Sequence, residues 1–219
     1  MTQTSLISLG LFSGQPQYDN FCRFKDILPV SRMAASTTPY HFAEGPALSL
    51  PQTYRFAGEE RSTEALLAAT DTSAVLVLKD GVVVHELYRL TGGREVQWIS
   101  WSVAKSFVSA LVGIAVSEGS IRSIDDAISD YIAVESGSAY AGVRIRDVLQ
   151  MSSGARWNED YADTTSDVHR LGATMAGAMS LDTFVATMVA ESPPGTVCRY
   201  NSGDTQALGA CWSRRRGAR

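Results

Sequence analysis

The sequence predicts an α+β protein, and three observations carry the prediction. A β-branched and aliphatic run, Ala74 to Lys79, is followed by Asp80-Gly81 and a second such run, Val82 to Tyr88. After Trp98 the apolar residues recur at helical spacing, and no further hairpin signal follows. The 219 residues are 45% hydrophobic and 19% charged, which supplies enough apolar material for a packed core and argues against a disordered chain. Strands segregated from helices along the chain favour α+β over an alternating α/β fold.

Taken in order, the first seventy residues read as irregular. Pro16, Pro29, Pro39, Pro46 and Pro51 all fall here, in a segment that would have to wrap over something else. The short apolar run Ser5 to Phe12 lacks a preceding basic stretch and a following small-residue cleavage site, so no signal peptide is expected. A helix is predicted over Thr63 to Ala69, capped by Ser62 or Thr63, with Leu66 and Leu67 on its apolar face.

The Asp80-Gly81 pair between two apolar runs is the strongest short-range hairpin signal, because both turn positions want positive φ. Ser102 to Glu118 then reads as a buried helix with Phe107, Leu111, Ile114 and Ala115 on one side and Gly119 closing it. Short helices are expected at Ile124 to Tyr131, at Ile145 to Met151 before Ser152-Ser153-Gly154, and at Leu181 to Ala190 before Pro193-Pro194-Gly195. A fourth begins near Gly203 and runs toward Trp212.

Net charge is −4, which argues against a broad basic nucleic-acid surface. Phe107 to Val116, the longest apolar stretch, is too short to span a bilayer, so no membrane partner is expected. Cys22, Cys198 and Cys211 are odd in number and form no C-x-x-C pair, which suggests neither a disulfide framework nor a zinc site. A cytoplasmic setting fits these features. The sequence has no G-x-S-x-G, H-E-x-x-H, P-loop or G-x-G-x-x-G motif.

Three segments can carry chemistry. Ser102-Val103-Ala104-Lys105 is an S-x-x-K motif at a helix start, where residues three apart share a face. A serine hydroxyl needs a nearby base, and a lysine amine supplies one when desolvation and the helix N-terminus favour its neutral form. Free N–H groups at that helix end can stabilise an oxyanion. The alternative is a lysine facing solvent in the first turn. Lysine occurs only at positions 25, 79 and 105, and Lys105 sits beside an apolar stretch.

The second segment, Arg199-Tyr200-Asn201-Ser202-Gly203, places a tyrosine on a loop before a helix. Beside a lysine it can shuttle a proton between the serine and a leaving group. Otherwise it packs under the loop while Ser202 or Asn201 caps the helix. In the third, Arg156 to Tyr161, Asn158 and Tyr161 can donate hydrogen bonds into a pocket and Glu159 can act as a base; a plain surface loop is the alternative.

Together, Ser102-x-x-Lys105 and Pro194-Gly195-Thr196 followed by Tyr200-Asn201-Ser202 resemble the serine β-lactamase and penicillin-binding-protein superfamily, on its class C-like branch. Trp98 to Ser106, Asn158 to Tyr161 and Tyr200 to Thr205 look most like the 6-aminohexanoate-dimer hydrolase group. The resemblance runs from the hairpin to Ala210. It implies an antiparallel sheet flanked by helices plus a helical domain. It also implies roles: Ser102 as acylated nucleophile, Lys105 as its base partner, Tyr200 as proton relay and Tyr161 as a substrate-contacting group; Asn158, from the loop itself, and Ser202, at the third position of the tyrosine motif, are the other substrate-binding candidates. Ser202 stands where the wider family's Tyr-x-Asn motif has Asn, which argues against β-lactam recognition.

No metal or organic cofactor is implied, and the expected partner is a small-molecule amide or ester. The implied organisation is a wrapping segment and hairpin over residues 1–100, a helical part with the serine over 101–212, and an atypical Arg-rich tail over 213–219. Family members continue past this point with a Lys-Thr-Gly or His-x-Gly strand, further central strands and a closing helix, so a C-terminal truncation is expected. The rival readings are a penicillin-recognising binding module without turnover and an inactive fragment.

Overall fold

The computed structural model describes residues 16–27, 30–175 and 177–215. It is mixed α+β, and the chain divides into two compact units at Ile99/Ser100. The apolar run Ser5 to Phe12, Pro29 and the end of the Arg-rich tail lie outside the described residues.

In the unit ending at Ile99, two single-turn helices come first, α1 (Gln17–Asn20) and α2 (Phe24–Ile27). A hairpin follows that the sequence did not announce: β1 (Thr53–Phe56) pairs antiparallel with β2 (Glu59–Ser62). Its strands carry no apolar alternation, since nearly every residue is exposed. The turn residues Ala57 and Gly58 both take positive φ, like Asp80 and Gly81 farther on. Ser62 ends β2 and caps α3 (Thr63–Ala69), accepting from the Ala65 N–H at 3.3 Å. Leu66 on this helix is exposed.

The expected second hairpin is present at the expected bounds, as β3 (Ala74–Lys79) and β4 (Val82–Tyr88). A register shift between Val77 and Leu78 leaves Val84 as the extra residue of a bulge. Val84 is also the buried hydrophobic residue of this unit among those described.

The unit from Ser100 onward is helical. A 3₁₀ turn, Trp101–Val103, leads into α4 (Ala104–Ser117). Gly119 takes φ +73° and the Ile121 N–H reaches back to the Ala115 carbonyl at 3.0 Å, which closes the helix. The face of α4 that is buried differs from expectation. Val112 and Ala115 go into the core with Val108 and Val116 against it, whereas Phe107 and Ile114 are exposed. Beyond Lys105 the polar residues of α4 are only small serines, Ser106, Ser109 and Ser117, and large apolar residues stand on both sides, so periodicity could not choose between them.

Ile124 to Tyr131 is not a helix but a loop ending in a 3₁₀ turn, Ile128–Asp130. Ala127 is extended and pairs with Arg144, while the Asp126 carboxylate is taken by Arg122 and the Tyr131 phenol. Those side-chain bonds hold the backbone out of the helix. Next come α5 (Ile145–Leu149), α6 (Asp167–Met175), which was not anticipated, and α7 (Leu181–Ala186), capped by Ser180. The expected extension of α7 to Ala190 fails because Val189 and Ala190 bridge to Ser138 and Ala155.

The last helix, α8 (Ser202–Arg215), is the hub: α4, α5 and α7 all pack on it. It carries helical backbone into the first part of the predicted tail. The hydrophobic core cluster lies wholly between Val112 and Cys211, with Tyr140, Ile145, Phe184 and Ala207 among its most buried members. Among the described residues no helix is long and apolar enough to cross a membrane.

Candidate active site

Ser102 sits in the 3₁₀ turn that leads into α4, and Lys105 is the second residue of the helix. Trp101, just before the serine, takes φ +45°. A bulky residue in the left-handed region is strained, typically by about 1–3 kcal/mol, and such strain clusters at functional positions. Here it turns the chain abruptly so that an exposed Ser102 stands at the helix start. Val103 provides no side-chain cap for α4.

Lys105 Nζ lies 3.0 Å from Ser102 Oγ. Tyr200, ninety-eight residues away in sequence, brings its phenol oxygen to 2.6 Å from the same Oγ. Lys105 Nζ also stands 4.8 Å from the centroid of the Tyr200 ring, a cation–π contact. The three candidate catalytic residues therefore form one cluster around a single oxygen.

Tyr200 is held there by its backbone neighbours. The Arg199 N–H donates to the Met151 carbonyl at 2.7 Å, and the Asn201 N–H contacts Met151 Sδ at 3.4 Å. Met151 itself takes φ +54° in the turn after α5. Below it, the Gly195 N–H donates to Ser152 and the Glu191 and Ser192 N–H groups both donate to Gly154. Gly154 takes φ +81°, and a Cβ there would stand 2.1 Å from the Ser192 carbonyl oxygen, so only glycine fits.

On the other side of Tyr200, Asn201 accepts the Gly203 and Asp204 N–H groups and caps α8. Asp204, fully buried, accepts from the Ser153 hydroxyl at 2.7 Å and the Tyr140 phenol at 2.9 Å. Burial pushes the Asp204 carboxyl up to about 6 and, with the Asp204 charge, pushes the Tyr140 phenol well above its ordinary range. This cluster pins the start of α8 and was not anticipated; a Ser-Ser-Gly turn and an aspartate in a helix's first turn look like ordinary turn and cap residues.

The loop from Arg156 to Tyr161 supplies the remaining predicted site residues. Trp157 is buried edge-on against Phe184 at 6.4 Å. The Asp167 carboxylate braces the loop by accepting the Asn158 N–H at 3.0 Å and an Arg170 bond at 2.7 Å. Asn158 is not brought to Ser102: its amide nitrogen donates to Asp163 and its amide oxygen accepts from the Asp160 N–H. Asp163 in turn is held below the usual carboxylate range, chiefly by the Thr165 hydroxyl.

Ser202 and Tyr161 are brought together, by Glu159. The Ser202 hydroxyl donates to Glu159 at 3.1 Å and the Tyr161 phenol donates at 3.2 Å; the Trp157 indole N–H donates to the same carboxylate. Tyr161 is largely exposed, and its phenol is raised by partial burial, then by the charge of Glu159 and its hydrogen bond, and by nearby Tyr200. His169 stacks edge-on against its ring at 6.5 Å. Cys22, Cys198 and Cys211 form no disulfide, and the described residues hold no His/Cys/Asp/Glu cluster that could bind a metal.

Comparison with known proteins places this geometry in context. Residues 61–217 match the Beta-lactamase family. The chain belongs to the beta-lactamase family. A curated relative, a 6-aminohexanoate-dimer hydrolase of Paenarthrobacter ureafaciens, is 30% identical over an alignment of 172 residues that covers 73% of this chain and 42% of the relative. A solved Bacillus anthracis structure, named as a candidate 6-aminohexanoate-dimer hydrolase, superposes with a TM-score of 0.65 at 19% identity, covering 80% of this chain and 49% of that one. A candidate beta-lactamase of Bacteroides dorei superposes at 0.55 with 20% identity, covering 70% and 45%. The fold is therefore that of the beta-lactamase family, and the chain spans about half the length of the relatives it matches.

Proposed function

We propose that this chain is a serine hydrolase that cleaves a small amide or ester through an acyl-enzyme on Ser102. One observation carries the reading: Ser102 Oγ lies within hydrogen-bond reach of both Lys105 Nζ and the Tyr200 phenol, in an exposed position a substrate can approach. Family membership and the 6-aminohexanoate-dimer hydrolase relative support it.

In this mechanism the serine proton passes to the Lys105–Tyr200 pair as Oγ attacks the carbonyl carbon. The Ser102 backbone N–H at the helix start faces the developing oxyanion. Collapse breaks the C–N or C–O bond, and the Tyr200 phenol returns the proton to the departing amine or alcohol. Water then attacks the acyl ester by the reverse path and frees the acid and Ser102. Tyr161 and Ser202 line the substrate side. Linear amides of the aminohexanoate kind and small esters are the substrate candidates, with no cofactor in the chemistry.

Intact mass after exposure to a fluorophosphonate tests this on the parent and on Ser102→Ala. A single adduct on the parent, absent from the variant, is the expected outcome. An unmodified parent that is folded by circular dichroism overturns it. Release of 4-nitrophenol beyond one equivalent then separates a turning-over hydrolase from a protein that acylates and stalls.

A further inference from the structure

Glu159 accepts hydrogen bonds from three side chains beside the candidate site. Its two carboxylate oxygens accept from the Ser202 hydroxyl, at 3.1 and 3.3 Å, from the Tyr161 phenol at 3.2 Å, and from the Trp157 indole. The arginines flanking this loop in sequence, Arg156 and Arg170, pair with Asp167 instead. The carboxylate is thus held by directional O–H and N–H donors, which fix an orientation as a loose ion pair would not. It also lies at the first turn of α8, where the helix dipole favours negative charge.

The donors come from both ends of the link, Trp157 and Tyr161 from the loop 156–161 and Ser202 from α8. Trp157 is anchored in the core, Ser202 opens α8 two residues after Tyr200, and Tyr161 is exposed. We propose that Glu159 is a positioning residue: its carboxylate ties the loop 156–161 to the start of α8 and so fixes Tyr161 and Ser202 relative to Tyr200. Its oxygens accept from these neighbours, while Ser102 Oγ is met by Lys105 and Tyr200, so the role assigned to Glu159 is to hold neighbours in place and not to serve as base to the nucleophile. The inference rests on the reading of Tyr161 and Ser202 as substrate-contacting groups.

The consequence is a separation of two rates. Phosphonylation of Ser102 by a small fluorophosphonate draws on Ser102, Lys105 and Tyr200. Turnover of a larger substrate also draws on Tyr161 and Ser202. Glu159→Gln, which keeps the side-chain volume, and Glu159→Ala are compared with the parent, with Ser202→Ala and with the Glu159→Ala/Ser202→Ala pair. The phosphonylation rate is read alongside kcat and KM on a 4-nitrophenyl ester and a 4-nitroanilide of one acyl group. Phenolate absorbance is titrated in parallel, with Tyr161→Phe identifying the Tyr161 signal against the other seven tyrosines.

Glu159→Gln is expected to change phosphonylation by less than about threefold and to lower kcat/KM by about tenfold to a hundredfold. Tyr161 ionises at lower pH in the variant than in the parent, because the neighbouring charge is gone. The double variant is no slower than Glu159→Ala, because both changes cut the same tie. A fall in phosphonylation parallel to turnover overturns the proposal, since Glu159 then acts on the nucleophile. An unmoved Tyr161 titration overturns it too. If the parent shows neither labelling nor turnover, the serine-hydrolase reading fails, and the Tyr161 titration still decides whether Glu159 holds that phenol.

Discussion

In the unit that begins at Ser100, Tyr140, Ile145 and Phe184 are buried to 1% exposure or less and belong to one continuous core. In the unit that ends at Ile99, Tyr40, Phe56 and Leu76 lie open, and the sheets are two-stranded hairpins. Isolated hairpins are marginal, whereas helices packed around a shared partner hold each other. The candidate catalytic cluster belongs entirely to the second unit. Its geometry therefore depends on that core: α8 carries the anchor of Tyr200, and α4 carries Lys105.

The strongest way to break this contrast is to cut the core beside α8. Ile145→Ala is expected to cost about 2–5 kcal/mol in urea unfolding and to abolish labelling of Ser102 with it. Leu76→Ala on β3, half exposed, is expected to cost less than about 1 kcal/mol. Equal costs would show that the hairpin unit has a core of its own.

Next in size is Gly154→Ala. The new Cβ meets the Ser192 carbonyl, so the turn that supports the Tyr200 segment must shift, at a cost of about 2–3 kcal/mol. Fluorophosphonate labelling should slow more than stability alone explains, because Tyr200 moves with that turn.

Asp204 sharpens the comparison through pH. Its folded-state carboxyl is raised from 3.8 to about 6 by burial, so the folded state holds a proton that the unfolded chain has lost. The stability this contributes is complete below about pH 4 and is lost as pH rises through about 6. Asp204→Asn should remove that falling slope from the second unit, and urea midpoints measured from pH 4 to pH 8 check it. A parent and variant with parallel profiles would mean that Asp204 is not protonated in the fold.

Smallest is the turn of the second hairpin. Gly81→Ala, at φ +80°, is expected to cost about 1 kcal/mol and to leave Ser102 labelling unchanged. A loss of labelling would show that the hairpin reaches the catalytic geometry.

Much of this molecule was legible in its sequence. The β3–β4 hairpin stands where two apolar runs flank Asp80-Gly81, because that turn chemistry is local. The cap of α3 by Ser62 and the stop of α4 at Gly119 are local for the same reason. The S-x-x-K spacing placed Ser102 and Lys105 on one helical face, since three residues make nearly one turn. What resisted reading depends on partners far along the chain. The β1–β2 strands are polar and exposed, so no alternation marks them. Ile124 to Tyr131 has helical spacing, yet Asp126, Tyr131 and Arg144 draw it into a loop.

The site divides in the same way. Sequence alone determined which residues have suitable chemistry and that Ser102 and Lys105 are neighbours. Only the tertiary structure decided that Tyr200 joins them, that Asn158 turns into its own loop, and that Glu159 links Tyr161 to Ser202. A motif within one helical turn is fixed by backbone geometry. A contact across ninety-eight residues is fixed by the Met151 to Gly154 turn, the buried Asp204 and the packing of α8, none of which leaves a periodic mark in the chain.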